Sequence, residues 1–370
     1  MNVSERHAHI QHISCLGLPG EVALPAMLQT LDTLVSAQNS NFAWTDRRGR
    51  LTNYYARHVD PASLDIMLHH SHLLNGPGEL SFEMHSCSTL VTGNLERFRA
   101  MGNLDRTITY NEIWKPNAIE QFLDLVVHDE SGPRALLTLG RTAGEKPFSP
   151  ADTRCILAVR PWILHAMDTP PRGEVSSIET GEEAILVCDH FGRVLQMGPN
   201  ARKLLLYAGN GRIGPGAVVA GLGDAVPETV QRVCQDMARI LSGRPGQVPQ
   251  ARLATPFGAF RFRAHSLGDS PGQPGAEGLL AVVIRREAPL SLVLVNRVAD
   301  LPLTPRQRQV AVQIGLSKLP ETIQSELDLS PGTYRRHVED IHVRLDVRSR
   351  SELMAALMSK SDTGTTVRAV

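Results

Sequence analysis

The sequence predicts an α+β multidomain chain, in which two blocks of helices on antiparallel sheets precede an all-α module of four helices. Three observations carry this prediction. At 370 residues the chain exceeds one typical domain and suggests two or three, at roughly one domain per 150 residues. Strand-like apolar runs broken by turn residues recur in residues 20 to 168 and again in residues 182 to 287. From residue 303 to 358 the pattern changes to short helical stripes, each opened by a capping residue.

Composition narrows the class. With 42% hydrophobic and 21% charged residues the chain sits in the ordinary globular range. Lys plus Arg equals Asp plus Glu at 38 each, which predicts no general attraction to polyanions and no polybasic membrane anchor, so any nucleic-acid site must be local. No run approaches the roughly eighteen apolar residues of a membrane span, and the opening MNVSERHAHIQH lacks the apolar stretch of a signal peptide. The expectation is a cytoplasmic protein without membrane contact. Five cysteines, Cys15, Cys87, Cys155, Cys188 and Cys234, are an odd number without a C-x-x-C pair, which fits reduced thiols. Cys87, between two serines, is the first candidate for a redox-sensing thiol, set against the plainer reading of inert buried cysteine.

Residues 1 to 19 read as an N-terminal tail. The first block, 20 to 168, opens with an amphipathic helix over 24 to 35, then strands over 41 to 45 and 50 to 55 across a turn at 46 to 49. Strands over 122 to 128 and 134 to 141 flank a Glu-Ser-Gly-Pro turn, a hairpin signal. Ser149 as N-cap, Pro150 at the first position and Asp152 at the positive helix end open a closing helix. Residues 169 to 181, crowded with Pro, Gly and Ser, read as a linker.

The second block, 182 to 287, gives a strand, a Gly-containing turn, a second strand, a helix from about Asn200, a helix over 228 to 241 and three terminal strands. The Pro/Gly-rich stretch 268 to 278 is a surface loop, because FGAFRFRAHSL and LLAVVIRR flank it and would pair. A helix over 290 to 300, within a connecting stretch 288 to 302, leads to the last module, and 359 to 370 reads as a flexible tail.

In the module, Thr304, Pro305 and Gln307 form a capping box with proline at the first helical position, and Val310 and Ile314 point inward. A second helix runs from 320 to 327. Only Asp328 and Leu329 intervene before Ser330 caps a third helix with Pro331 at its first position, so the two must cross steeply in a helix-turn-helix arrangement. Tyr334, Val338, Ile341 and Leu345 share one buried face of that helix, and Arg335, Arg336, Glu339, His342 and Val343 lie on the other. A fourth helix starts at Ser349, with Glu352 three residues on, and buries Leu353, Ala356 and Leu357. Its exposed part is where a dimer contact is expected.

These residues carry three resemblances. The second block resembles a PAS domain in Asp189, Gly192, Val194 and the Asn200-Ala201 pair. The first block resembles a GAF domain in its hairpin followed by PFSPADTRCILAVRPWILHAM. Residues 303 to 358 resemble the C-terminal DNA-binding domain of the LuxR family in Leu303, Thr304, Arg306, Val310, Ile314, Ile323, Leu327, Leu329, Ser330, Thr333, Arg335, His337, Ile341, Arg344, Leu345, Val347, Ser349 and Arg350. The module departs from the family at Gln307 and Gln309, where acids are usual, in the Lys318-Leu319-Pro320-Glu321 start of the second helix, and at Gln324 and Tyr334.

The resemblance implies a transcription regulator that reads promoter DNA in the major groove as a homodimer, under GAF-like and PAS-like domains that sense a small-molecule effector. RNA polymerase is a further partner of such a role. Arg335 and Arg336 would approach the bases, arginine being suited to two hydrogen bonds with guanine, and Glu339 could accept from cytosine. Thr333, His337, Arg344, Arg348 and Arg350 would contact phosphates or hold the helix, and Arg306 would reach the backbone. Residues 303 to 358 hold eight Lys or Arg against seven Asp or Glu, so two half-sites are needed for firm binding. The competing reading is a non-enzymatic sensor or scaffold whose four-helix module only dimerises.

Other chemistry finds little support. There is no phosphate-binding G-x-x-x-x-G-K-[ST] loop, no phosphoacceptor cluster, no Trp-Tyr-Asp-Trp set of acyl-homoserine-lactone receptors and no flavin-linking cysteine motif. Trp44, Tyr54, Tyr55 and Trp114 either line a pocket or serve the core. His69, His70 and His72, with His85 nearby, point to different sides of a helix, so a metal would need a ligand from elsewhere. No catalytic residue, cofactor or metal is expected.

Overall fold

The computed structural model describes residues 1–57, 60–75, 79, 82–87, 102–170, 176–215, 217, 228–267 and 278–358. The expected tail at 359 to 370 lies outside these residues.

Two antiparallel sheets organise the chain. The first contains β1 (Asn39–Thr45), β2 (Leu51–Ala56), β3 (Gln121–Asp129) and β4 (Gly132–Arg141), in the order β2-β1-β4-β3. The turn between β1 and β2 needs Gly49, whose φ is +79° and where a Cβ would stand 2.9 Å from the Glu83 carbonyl. One face is covered by α2 (Gly20–Val35) and, later in the chain, by α5 (Pro150–Leu157) and α6 (Arg160–Asp168). Leu123, Leu125, Leu137 and Leu139 alternate onto that face and are fully buried. Before β3 come α3 (Pro61–His69), α4 (Phe82–Ser86) and a π-helical turn, Thr109–Trp114, packed on α3. Ser149 caps α5 as expected, and Asp152 returns a hydrogen bond that makes the pair a capping box.

Residues 1 to 19 are not a loose tail. They contain α1 (Val3–Ser14), opened by a capping box between Asn2 and Glu5 and anchored by the fully buried Ile10 and Ile13. Its apolar residues are too sparse for the helical period to stand out, and the helix is held by its neighbours. The next helix starts at Gly20, earlier than the stripe beginning at residue 24 implies, and runs through Pro25.

The second sheet contains β5 (Ser177–Cys188), β6 (Val194–Met197), β7 (Gln250–Thr255), β8 (Gly258–Ser266) and β9 (Leu280–Pro289), in the order β6-β5-β9-β8-β7. The expected linker is shorter than its composition suggests, because Ser177, Ile178 and Glu179 already pair with Pro289, Ala288 and Glu287. The runs flanking residues 268 to 278 pair as β8 and β9, while the loop expected there lies, apart from Gly278, outside the described residues. Helices α7 (Pro199–Gly209) and α8 (Glu228–Leu241) cover the face bearing Phe260, Phe262 and Ile284. Gly192 has a φ of +86°, and a Cβ there would lie 2.5 Å from the Gln231 Cα, so only glycine lets the β5–β6 turn approach α8.

The two blocks dock through β2 and the end of α7. The Tyr207 hydroxyl donates to the Ala56 carbonyl at 2.9 Å, the Ile213 N–H donates to Asn53 Oδ1 at 2.9 Å, and Tyr55 stacks on Tyr207 with ring centres 5.1 Å apart. Strand β9 runs directly into α9 (Leu290–Ala299). Four further helices follow: α10 (Pro305–Gly315), α11 (Pro320–Glu326), α12 (Pro331–Leu345) and α13 (Arg350–Met358). Helix α1 packs against α2 and α6 of the first block and also against α9 and α10.

Candidate nucleic-acid interface

The helix at the centre of the candidate site is α12. Its start is local chemistry, since Ser330 Oγ accepts from the Thr333 N–H at 3.2 Å and Pro331 occupies the first turn. The bend from α11 is made by Asp328, which takes a left-handed φ of 49° that its short polar side chain tolerates. A second left-handed residue, Asp346 at φ 52°, ends the helix.

Ile341 is fully buried, and Tyr334, Val338 and Leu345 pack partly buried against the core that includes Val310, Ile314 and Ile323. Gln307, buried in α10, caps its own helix and donates to Asp340 Oδ2 at 3.2 Å, which ties α10 to α12. Gln307 thus performs a structural task. Gln309 accepts from Arg306 at 2.8 Å.

Arg335, Arg336 and Glu339 are exposed on the outer side, and none of the three makes a hydrogen bond or ion pair among the described residues. Val343 stands beside them, 81% exposed. His342 does not belong to this outer face. It is half-buried, with Nε2 inaccessible and unpartnered among the described residues, as is Nδ1 of His337. Each residue turns the helix by about 100°, so position 342 falls at the border of the stripe through Val338 and Ile341.

The residues expected at phosphates divide differently. Arg306 donates to the carbonyl of Leu327 at the end of α11, Arg350 donates to the carbonyl of Lys318 before α11, and Arg344 donates to the Pro302 carbonyl at 3.0 Å. These three guanidinium groups hold the turns of the module together; the Leu327 carbonyl is one that the end of α11 leaves without an intrahelical partner, and the Lys318 and Pro302 carbonyls belong to the connections before α11 and α10. Thr333 shares a 2.8 Å hydrogen bond with the Ser330 hydroxyl. Arg348 is the exception, exposed with no side-chain partner among the described residues, although its N–H donates to Glu352. Sequence reasoning misses Arg308, which carries no motif signal; it is buried, donates to the Leu301 carbonyl at 3.2 Å and lies 3.7 Å from Glu5 of α1.

His69 uses both ring nitrogens, on Asp65 at 2.6 Å and on the Ala217 carbonyl at 2.9 Å, and among the described residues no three His, Cys, Asp or Glu side chains could hold a metal ion. Trp44, Tyr54 and Tyr55 are buried, and Trp114 lies 4.8 Å from the Phe122 ring. Cys188 and Cys234 are buried, whereas Cys87 is exposed and its Sγ lies 3.3 Å from the Arg48 carbonyl. Among the described residues no helix is long and apolar enough to cross a membrane.

No family model matches the chain, and no curated protein sequence matches it. Among solved structures, the chain is similar to the sensor region of a sensor histidine kinase, at 16% identity over 51% of this chain and 69% of that one, with a TM-score of 0.19. It is also similar to a chain of the E. coli DhaR(N)–DhaL complex, at 10% identity over 77% of this chain and 90% of that one, with a TM-score of 0.22.

Proposed function

We propose that this chain is a DNA-binding transcription regulator whose helix-turn-helix pair α11–α12, of LuxR type, reads promoter DNA in the major groove. GAF-like and PAS-like sensor domains in the first two blocks control it in response to a small molecule. One observation carries the reading: Arg335 and Arg336 lie exposed and, among the described residues, unpartnered on a helix whose opposite side is anchored in the module's core. An exposed guanidinium that makes no ion pair is available to an external anion or to a guanine edge.

The mechanism follows from that geometry. A groove about 12 Å wide admits one helix, and the first turns of α12 would face the base edges. Arg335 and Arg336 would donate to guanines, Glu339 would accept from cytosine, and Arg348 would meet a phosphate. Arg306, Arg344 and Arg350 would act indirectly, by keeping α11 and α12 at their angle. Because the module is nearly neutral, two copies on two half-sites supply the affinity, and RNA polymerase would be met from the remaining surface. No catalytic step enters this reading.

The test is a gel shift of the full chain on the DNA upstream of its own gene, with unrelated DNA as competitor. Sequence-preferring binding that is lost in the Arg335→Ala/Arg336→Ala double variant supports the reading, and undiminished binding by a folded double variant overturns it. The exposed Val343 favours a second reading in which this face dimerises instead. In that case Val343→Asp would make the chain monomeric, and DNA would bind indifferently to sequence or not at all.

A further inference from the structure

The strands of the second sheet differ in how they read. β8 alternates, with Phe260, Phe262 and Ala264 turned to the helices and Arg261, Arg263 and His265 to the other face, as a sheet with one solvated side should. The neighbouring strands β5 and β9 do not alternate. Residues 184 to 187 of β5 and 280 to 284 of β9 are uninterrupted apolar runs, AILV and LAVVI, the pattern of strands covered on both faces.

Among the described residues only one of those faces is covered. Leu186, Val282 and Ile284 are fully buried under α7 and α8, whereas Ile185 opposite Val283 and Val187 opposite Ala281 lie on the other face, and Ile185 is 57% exposed. Leu195, at the bulge where β6 meets β5, is exposed to the same extent. Just past the strand ends, the Leu267 N–H donates to the Leu279 carbonyl at 3.1 Å, and both side chains are exposed and continue the apolar surface. A contiguous surface of this kind marks an interaction site, where scattered apolar residues would not.

The surface is complementary to itself. At one level of the sheet the apolar columns give way to opposite charges, Glu183 on β5 and Arg285 on β9, which pair at 3.1 Å and are still 55% and 49% exposed. A two-fold axis along the strands, between β5 and β9, would lay β5 of one copy over β9 of the other. Glu183 would then meet the partner's Arg285, Ile185 the partner's Val283 and Val187 the partner's Ala281, each pair occurring twice. Sheets packed face to face keep their strands within about 30° of each other, which such an axis permits. It also preserves strand direction, so both copies of β9 run into α9 at the same end of the dimer.

We propose that this face binds a second copy of the chain, sheet on sheet, through β5 and β9. The two α10–α13 modules then leave the dimer at one end, as two half-sites on DNA require. The inference rests on the function proposed above and deepens it, by locating the contact between copies on the second sheet and not on the exposed part of α13. Its test uses no DNA.

The experiment is sedimentation equilibrium of the full chain at concentrations up to about 100 μM. The wild type should form a reversible dimer. Ile185→Asp should weaken it by about tenfold or more with an unchanged circular dichroism spectrum, since this side chain is exposed in the single chain. Glu183→Arg and Arg285→Glu each set like charges against each other across the axis and should weaken self-association several fold. An equimolar mixture of these two variants should restore the dimer, because one chain then presents two positive charges to the other's two negative ones. Mixing cannot mend a pair within one chain, so the rescue separates a contact between copies from one inside the sheet. A monomeric wild type, an undiminished dimer in Ile185→Asp, or a mixture that associates no better than its components overturns the proposal. A dimer that only Val343→Asp dissolves belongs to α12 and overturns it as well. A failed gel shift leaves this interface standing, and a monomeric chain that still shifts its promoter leaves the DNA reading standing.

Discussion

Two surfaces of this chain display neighbouring arginines, and they differ in what lies beside each guanidinium. On the outer face of the second sheet Arg252 stands opposite Arg261, and Arg261 opposite Arg285, across three adjacent strands. Like charges in that position repel. Carboxylates resolve the conflict: Glu287, 4% exposed, accepts from Arg252 at 2.9 Å and Arg261 at 2.6 Å, while Arg285 reaches Glu183 at 3.1 Å. Burial pushes the Glu287 carboxyl up, but hydrogen bonds from Arg252 and Ser177 and the charges of Arg252 and Arg261 outweigh it and hold it below the ordinary carboxylate range. On α12, Arg335 and Arg336 make no ion pair among the described residues, although Glu339 lies one turn further on. Arginines interleaved with acids bind strands together, whereas arginines without them are open to a partner, and a count of basic residues does not separate the two.

The largest expected effect tests that contrast directly. Replacing both Arg335 and Arg336 by alanine should lower affinity for the preferred DNA by about 100-fold or more, with melting unchanged. Replacing Arg252 and Arg261 should do the reverse, lowering the melting temperature while leaving the gel shift intact. If the sheet pair abolished DNA binding without affecting melting, the distinction would fail.

Arg308 presents a third setting, buried where α10 meets α1 and near His9 of that helix. Burial lowers the His12 pKa from 6.5 to about 4, with the charge of His9 adding to it. His9 is lowered too, by burial first, with the hydrogen bond to Asn296 opposing and the charge of Arg308 reinforcing. The native state therefore binds fewer protons than the unfolded chain. The stability that follows is full above pH 6.5 and is lost as pH falls towards 4, by about 3 kcal/mol for His12. Melting curves taken between these limits should drop with acid, and amide exchange in α1 should rise. A His12→Leu variant that kept the same acid slope would assign the loss elsewhere.

Smaller effects sharpen the comparison. Glu287→Gln should cost about 2 kcal/mol in denaturant unfolding, by leaving Arg252 and Arg261 opposed, without changing DNA affinity. Arg306→Ala should cost about 1 kcal/mol, by freeing the Leu327 carbonyl, and leave the salt dependence of DNA binding unaltered. Arg348→Ala should instead reduce the slope of log affinity against log salt by about one unit, with no loss of stability. Equal salt slopes for the two variants would place Arg348 away from the phosphates.

Much of the local architecture is legible in the sequence. The β3–β4 hairpin, the Ser149 cap, α8 and the four C-terminal helices are each set by residues within a few positions of one another, so caps, prolines and periodicity reveal them. Helix α1 is not legible, because its stability comes from distant neighbours and its own stripe is weak. The candidate site is legible in part. Exposure of Arg335 and Arg336 follows from the spacing of Tyr334, Val338 and Ile341, since a helix with one face anchored must turn the other outward.

Short-range geometry thus suffices to say where elements begin and end and which side of α12 points out, and both can be read along the chain. Which arginines are already engaged depends on the folded molecule. The carbonyls that hold Arg306, Arg350 and Arg344 lie 21, 32 and 42 residues away in the chain. Only folding brings such acceptors within reach of a guanidinium, and it likewise sets Glu183 and Ile185 beside Arg285 and Val283 from strands far apart in the chain.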